Sequence, residues 1–207
     1  MKTLKILPAS LALVLAIPAA ADDTKPARPA AGTAASKPAA GSKSMVERGK
    51  YLTILGGCND CHTPKKMGPG GPEPDMSRLL SGHPQDPKLP APPQVSPSSP
   101  WNIGVSGDLT AWAGPWGISY SPNLTPDTLT GLGVPGLWTE ELFIKAMRTG
   151  KHIGTARPIL PPMPWPNYAQ ATDQDLKAIW AYLGSIPPVR NLVPDPVIAP
   201  PPPQPGK

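Results

Sequence analysis

Three stretches of the chain repeat apolar residues at helical spacing, and the rest does not. Leu176, Ile179, Trp180 and Leu183 fall at i, i+3, i+4 and i+7, the stripe of an amphipathic helix over about 173–183. Thr172 stands before it as a cap, and Gly184 and Pro187 close it. Leu142, Phe143, Ala146 and Met147 share one face of a second helix, 140–149, between Thr139 and Gly150. Ser44 and Glu47 form a capping box for a third, about 45–56. That helix turns Val46, Leu52 and Leu55 inward and stops at Gly56-Gly57. Between 64 and 136 glycine and proline break any period. Strand-like alternation and internal repeats are absent from the sequence, so the expected class is all-α with long irregular loops. Loops of that length inside a compact domain point to function.

The two ends are of another kind. Lys2 and Lys5 precede an apolar run from Ile6 to Ile17, and Ala19 and Ala21 form an A-x-A site before Asp22. This predicts a secretory signal peptide over 1–21. About 12 apolar residues fall short of the roughly 20 that span a bilayer. The mature chain is therefore expected to be exported to the periplasm with no integral membrane segment. Residues 22–43 are Ala, Pro, Lys and Gly without an aromatic, an expected disordered linker. The last 21 residues hold nine prolines, which excludes a helix there and favours extended chain. Val189, Leu192 and Val193 are expected to strap along the domain, 44–190, ahead of an extended tail, 191–207.

Charge narrows the partners. The chain is +5 overall, but residues 44–186 carry 11 Lys plus Arg against 11 Asp plus Glu. The excess lies in the two ends, and no basic patch or motif marks a nucleic-acid binder.

Export sharpens the reading of Cys58-Asn59-Asp60-Cys61-His62, which holds both cysteines of the chain. A plain thiol pair seldom stays reduced in an oxidising compartment. A redox dithiol is expected after a strand in a βαβ unit, whereas here a helix leads in. A structural zinc site needs four ligands, and His83 and His152 do not supply a second pair. A disulfide would leave His62 without a role. Covalent haem attachment uses all three residues. The two thiols add across the porphyrin vinyl groups, and the next histidine becomes the proximal iron ligand. One motif predicts one c-type haem and its iron.

Low-spin electron carriers complete the iron with Met or a second His. Met163, in Ile159-Leu160-Pro161-Pro162-Met163-Pro164, is the preferred sixth ligand because prolines fix φ and stiffen the loop. Met76, His83 and His152 remain alternatives. Met67 is too near His62 in sequence, and Met147 belongs on a core face. With both axial positions filled, outer-sphere electron transfer is expected rather than catalysis, so the protein is expected not to be an enzyme itself. A labile sixth ligand would instead make a haem enzyme or sensor. Lys65, Lys66, Lys145, Arg148, Lys151 and Arg157 flank the motif and the second helix, a candidate basic rim for an acidic partner.

The capped helix running into CNDCH, the Pro-flanked Met163 and the terminal helix DQDLKAIWAYLGSI together resemble the class I c-type cytochromes. The string GISYSPNLTPDTLTGLGVPGLWTEELFIKAMRTGKH resembles periplasmic cytochromes related to the cytochrome subunits of alcohol and aldehyde dehydrogenases. The resemblance covers roughly 44–190. It departs in two ways: those subunits usually carry several C-x-x-C-H motifs, and the loop over 64–115 is longer and richer in proline. The resemblance implies a cytochrome c-like fold of three main helices around one haem, with first and last helices crossing. That crossing would set Gly49, Tyr51 or Leu52 against Trp180, Tyr182 or Leu183. It implies redox protein partners, a dehydrogenase donor or an oxidase acceptor, or a tight place in a dehydrogenase complex. It also implies donors for the haem propionates, for which Trp116, Tyr120, Asn123 and Arg157 are candidates. A downstream proline carbonyl should hold the His62 ring, with Pro69, Pro72 and Pro74 in range.

Overall fold

The computed structural model describes residues 42–86, 88–92, 102–154 and 156–199. The expected signal peptide, nearly all of the linker and the tail beyond 199 lie outside the described residues.

The three expected helices are present, joined by two short ones. They are α1 (Lys43–Leu55), α2 (Cys58–His62), α3 (Glu140–Thr149), α4 (Trp165–Tyr168) and α5 (Asp173–Ser185). Thr139 and Thr172 cap α3 and α5, each accepting from a backbone N–H three residues on, and Gly150 closes α3 in the left-handed conformation. Two details differ. Ser42, not Ser44, caps α1 by accepting from Met45 N, so the first turn starts earlier than the capping-box pattern suggests. α5 runs through Gly184 to Ser185, because the tertiary packing of its apolar stripe outweighs the modest cost of one glycine.

The all-α expectation is overturned. Among the described residues six strands accompany the helices: β1 (Lys65–Gly68), β2 (Gly71–Pro74), β3 (Gly104–Val105), β4 (Ala111–Gly114), β5 (Gly117–Tyr120) and β6 (Val197–Ile198). β1 and β2 form one antiparallel sheet, and β3-β4-β5-β6 form a second. Tight turns build the hairpins: Gly68 faces Gly71 around Pro69-Gly70, and Gly114 faces Gly117 around Pro115-Trp116. Strands of two to four residues that contain Gly and Pro show no period-2 alternation. Their pairing rests on backbone hydrogen bonds and turn geometry, to which a side-chain pattern is blind. β6 comes from the segment expected as extended tail and adds to the sheet edge at β5.

The core gathers Leu80, Leu132, Phe143, Leu176, Ile179, Trp180, Tyr182, Leu183 and Ile186. Phe143 and Trp180 pack with tilted rings, centroids 5.5 Å apart. α5 thus supplies most of the apolar surface, as its stripe predicts. α1 lies against it where Gly49 meets Ala178 and Tyr182. Val46 and Leu52 pack onto the core, but Leu55 is 68% exposed. The glycine and threonine of α1, Gly49 and Thr53, are its buried residues. Close backbone approach, rather than large side chains, therefore fixes the buried face and rotates Leu55 outward. No helix among the described residues is long and apolar enough to cross a membrane.

Candidate functional site

The chain leaves α1 through Gly57, whose φ of +68° suits glycine, and immediately enters the single turn of α2. That turn carries Cys58, Cys61 and His62. The two cysteines are free thiols, each partly exposed. Burial pushes both thiols above their ordinary range, and the Asp60 carboxylate adds to the effect. A redox-active dithiol needs the opposite shift. Among the described residues no cluster of three or more His, Cys, Asp or Glu is arranged to hold a metal ion.

His62 is only 7% exposed. Its Nδ1 lies 2.9 Å from the carbonyl oxygen of Pro122. A carbonyl only accepts, so Nδ1 carries the proton and Nε2 keeps its lone pair for a metal. Burial pushes the imidazole pKa down, against the opposing pull of the Pro122 carbonyl, and a neutral ring is the ligating form. The expectation of Pro69, Pro72 or Pro74 is corrected here. Pro69 sits in the turn of the first hairpin and Pro72 and Pro74 in β2. The segment that reaches the ring comes from 60 residues downstream.

A second layer of contacts fixes this geometry. Gly82 N donates to His62 O at 2.8 Å, and Leu80 N to Thr63 Oγ1 at 2.9 Å. Residues 80–83 then pair with 121–124 through His83 N to Ser121 O and Leu124 N to Leu80 O, both 2.9 Å. A Cβ on Gly82 would stand 2.4 Å from Ser121 O and 2.7 Å from Pro122 O, so only glycine permits this approach. Lys65 Nζ donates to Asn59 O and Thr63 O at 2.8 and 3.0 Å, closing the C-terminal end of α2. Tyr168, from α4, donates its hydroxyl to Gly56 O at the junction of α1 and α2.

Met163 is half-buried in the loop before α4. Its own N donates to Leu160 O, and its carbonyl accepts from Trp165 N at 2.9 Å. Ser119 Oγ on β5 donates to Pro161 O, which ties the loop to the second sheet. The alternatives are placed differently. Met76 is 64% exposed in a short 3-10 turn. His83 is buried, with Nδ1 2.7 Å from Thr110 Oγ1 and its ring 4.9 Å from that of Tyr120. His152 is half-buried, edge-on to Trp138 at 5.4 Å.

The four propionate candidates do not form one cluster of donors. Asn123 is 4% exposed and its carboxamide is committed to protein partners. Its Nδ2 donates to Val189 O at 2.8 Å and to Thr130 Oγ1 at 3.2 Å, and its Oδ1 accepts from Thr125 N and Oγ1. Trp116 Nε1 donates to Ser119 Oγ at 3.3 Å. Tyr120 lines a separate apolar cleft of about 150 Å³ with Trp112, Ile118 and Pro90. Arg157 is exposed and donates to Pro158 O. The candidate basic rim is likewise thinned: Lys65 serves α2, Lys66 lies 4.0 Å from Glu73, and Arg148 pairs with Asp173 at 2.6 Å.

Sequence reasoning missed Pro122, Tyr168 and Asn191. The dense Asx and threonine turns of Ser121-Pro-Asn-Leu-Thr-Pro-Asp127 were a usable signal, since such runs fold back on their own backbone.

The donor set fits a c-type haem: two unpaired thiols one helical turn apart and a neutral, oriented imidazole directly after them. No family model matches the chain. It is similar to the gluconate 2-dehydrogenase cytochrome c subunit of Pantoea cypripedii, with 32% identity over 141 residues, 67% of this chain and 22% of that one. It is similar to the fructose dehydrogenase cytochrome subunit of Gluconobacter japonicus at 29% over 70% of this chain and 22% of that one. It also matches the cytochrome c subunit of the quinone-dependent alcohol dehydrogenase of Gluconobacter oxydans, at 29% over 74% of this chain and 24% of that one. The chain therefore spans less than a quarter of the length of these relatives.

Proposed function

We propose that this chain, a c-type cytochrome related to the cytochrome subunits of bacterial dehydrogenases, carries electrons in the periplasm on one covalently held haem. Cys58 and Cys61 would hold the group, and His62 and Met163 would be the ligands to its iron. When bound, haem supplies reversible one-electron chemistry between ferrous and ferric iron. The observation that carries the reading is the His62 ring. It is buried, held by Pro122 at 2.9 Å, and leaves Nε2 as the lone-pair nitrogen beside two unpaired thiols.

The residues divide the work. The thiols fix the position of the group and the Pro122 carbonyl fixes the ring tautomer. The Pro-flanked loop would offer the Met163 thioether as a second ligand to the iron. His62 and Met163 together would leave the iron no site for substrate, which supports a carrier rather than an enzyme. A signal peptide over 1–21, cleaved after Ala21, would export the chain to the periplasm, where its partners would work.

A second reading is favoured by the relatives, which are named as dehydrogenase subunits. In it, the chain docks stably on a dehydrogenase and receives its electrons. Co-purification from periplasm as a stoichiometric complex supports that reading, and a free monomeric pool supports the mobile carrier.

The deciding experiments are a pyridine haemochrome spectrum of the exported protein beside Cys58→Ala/Cys61→Ala, and the visible spectrum of the untreated ferric protein beside Met163→Ala. The expected outcome is one c-type haem per chain, lost in the double-cysteine variant. Met163→Ala should lose the Met-to-iron charge-transfer band and have a lowered potential. A Met163→Ala protein with an unchanged spectrum overturns that ligand, and ready carbon monoxide binding by the wild-type ferrous protein does the same.

A further inference from the structure

We propose that Asn191, with the C-terminal strap around it, is a positioning residue for the proximal histidine, and that it tunes the potential by fixing the carbonyl that His62 bonds. The inference rests on the reading of His62 as an iron ligand.

Asn191 stands out in a proline-rich stretch whose neighbours Arg190 and Leu192 are exposed. It is 2% exposed, and all of its polar groups are engaged. Nδ2 donates to Ser81 O at 2.7 Å and His83 O at 2.8 Å, straddling Gly82. Oδ1 accepts from Gln85 N at 2.9 Å and Arg78 Nη2 at 3.2 Å. Its backbone N donates to Thr130 Oγ1 at 3.0 Å, and its carbonyl accepts from Asn123 Nδ2 at 3.4 Å. Two residues earlier, Val189 O accepts from Asn123 Nδ2 at 2.8 Å.

These bonds converge on Pro122 from two sides. Residues 81–83 press against Ser121 and Pro122, and Gly82 N also holds His62 O. Asn123, the residue after Pro122, is tied to the strap itself. Asn191 thus bonds the segment 81–83 through its side chain while its backbone fastens the segment after Pro122. Buried amides satisfied in this way hold a single arrangement, because every alternative leaves a polar group unpaired.

The consequence for iron follows from ligand chemistry. An imidazole whose Nδ1–H is held by a carbonyl is a stronger donor to the metal. Stronger donation favours ferric iron, so a firmly placed Pro122 keeps the potential low. Loosening the strap weakens the bond and raises the potential.

The test uses the full-length haem-loaded protein with Asn191→Ala and Thr130→Val. The latter keeps side-chain shape while removing the hydroxyl that serves Asn191 N and Asn123 Nδ2, and it carries the test should Asn191→Ala fail to accumulate. Ala178→Gly, at the α1–α5 crossing, is the control for general destabilisation. The readouts are the reduction potential and the solvent exchange of the His62 Nδ1 proton by NMR. The expected result is a raised potential and at least about tenfold faster exchange in both strap variants, with neither change in the control. Folded strap variants with unchanged potential and unchanged exchange overturn the proposal and make the strap a structural fastening only. A wild-type protein without a His-ligated c-type spectrum overturns the haem reading beneath it.

Discussion

Gly49 and Ala178 meet so closely that a Cβ added to Gly49 would lie 1.9 Å from the Ala178 carbonyl oxygen and 2.8 Å from Cβ of Tyr182. Neither neighbour is the tip of a flexible side chain, so the helices themselves would have to separate. Overpacking of this kind costs typically about 1–3 kcal/mol and occasionally more. Gly49→Ala is expected to lose about 3 kcal/mol of stability, the upper end of that range, despite its better helix propensity. A chemical-denaturation midpoint no lower than that of the wild type would show that α1 and α5 can shift apart without cost.

Much of this arrangement was legible in the sequence. The stripe Leu176, Ile179, Trp180 and Leu183 gives α5 its buried face, and of Gly49, Tyr51 and Leu52, expected against Trp180, Tyr182 or Leu183, Gly49 meets Tyr182 whereas Tyr51 is exposed. Side-chain periodicity reports burial, and these helices are held by burial. The sheets were not legible, because β1 through β6 are short and set by turns and backbone pairing. The same reason hid Pro122 and Asn191. Their contacts join segments 60 and more residues apart through main-chain groups, whose partners no local pattern specifies.

Tyr168 joins α4 to the end of α1 through its hydroxyl and Gly56 O. The ring also lies where a Cβ on Gly56 would fall, 3.2 Å away. Tyr168→Phe keeps the ring and removes only the donor, leaving a helix-end carbonyl without its partner. A net loss of about 1 kcal/mol is expected, read as a lower denaturation midpoint. Hydrogen exchange should quicken at the junction of α1 and α2 while the amides of α5 stay protected. Equal quickening throughout α5 would count against this local brace.

Stability should fall with acid through two kinds of group. His83 is buried, and desolvation holds its pKa below the usual histidine value, more than the nearby Asp108 carboxylate raises it; Arg78 lowers it further. The unfolded chain therefore binds a proton near about pH 6.5 that the folded chain refuses. Stability is fully present above that pH and is lost as pH falls through the folded value. The carboxylates of Asp127 and Asp175 are held below their usual range. Partial burial works against this at Asp127, but bonds from Thr130 and Leu129 outweigh it; at Asp175 the Arg48 guanidinium does the holding. Their contribution is present above about pH 4 and goes at lower pH. Urea midpoints measured from neutral pH into the acid range should show both declines, and His83→Gln should make only the upper one shallower, because burial also holds His62 and His152 below the usual histidine value. An unchanged slope in the upper window in that variant would remove His83 from the account.

Electron exchange with a partner should depend only weakly on salt. The six cations that frame the attachment motif and α3 suggest steering, but three are committed elsewhere. Lys65 closes α2, Lys66 faces Glu73 and Arg148 is held by Asp173. Lys145, Lys151 and Arg157 remain exposed. They stand on a domain whose 11 basic and 11 acidic residues over 44–186 cancel. Steered association gains roughly 10-fold to 1,000-fold at low salt and loses it as ionic strength rises. Here the second-order rate with the native partner should change by less than about threefold between low and physiological salt, a range over which the screening length shortens to about 8 Å. Stopped-flow reduction across that range checks it. A steep decline, abolished by Lys145→Gln/Lys151→Gln, would restore the basic rim and locate it on α3 and the residues just after it.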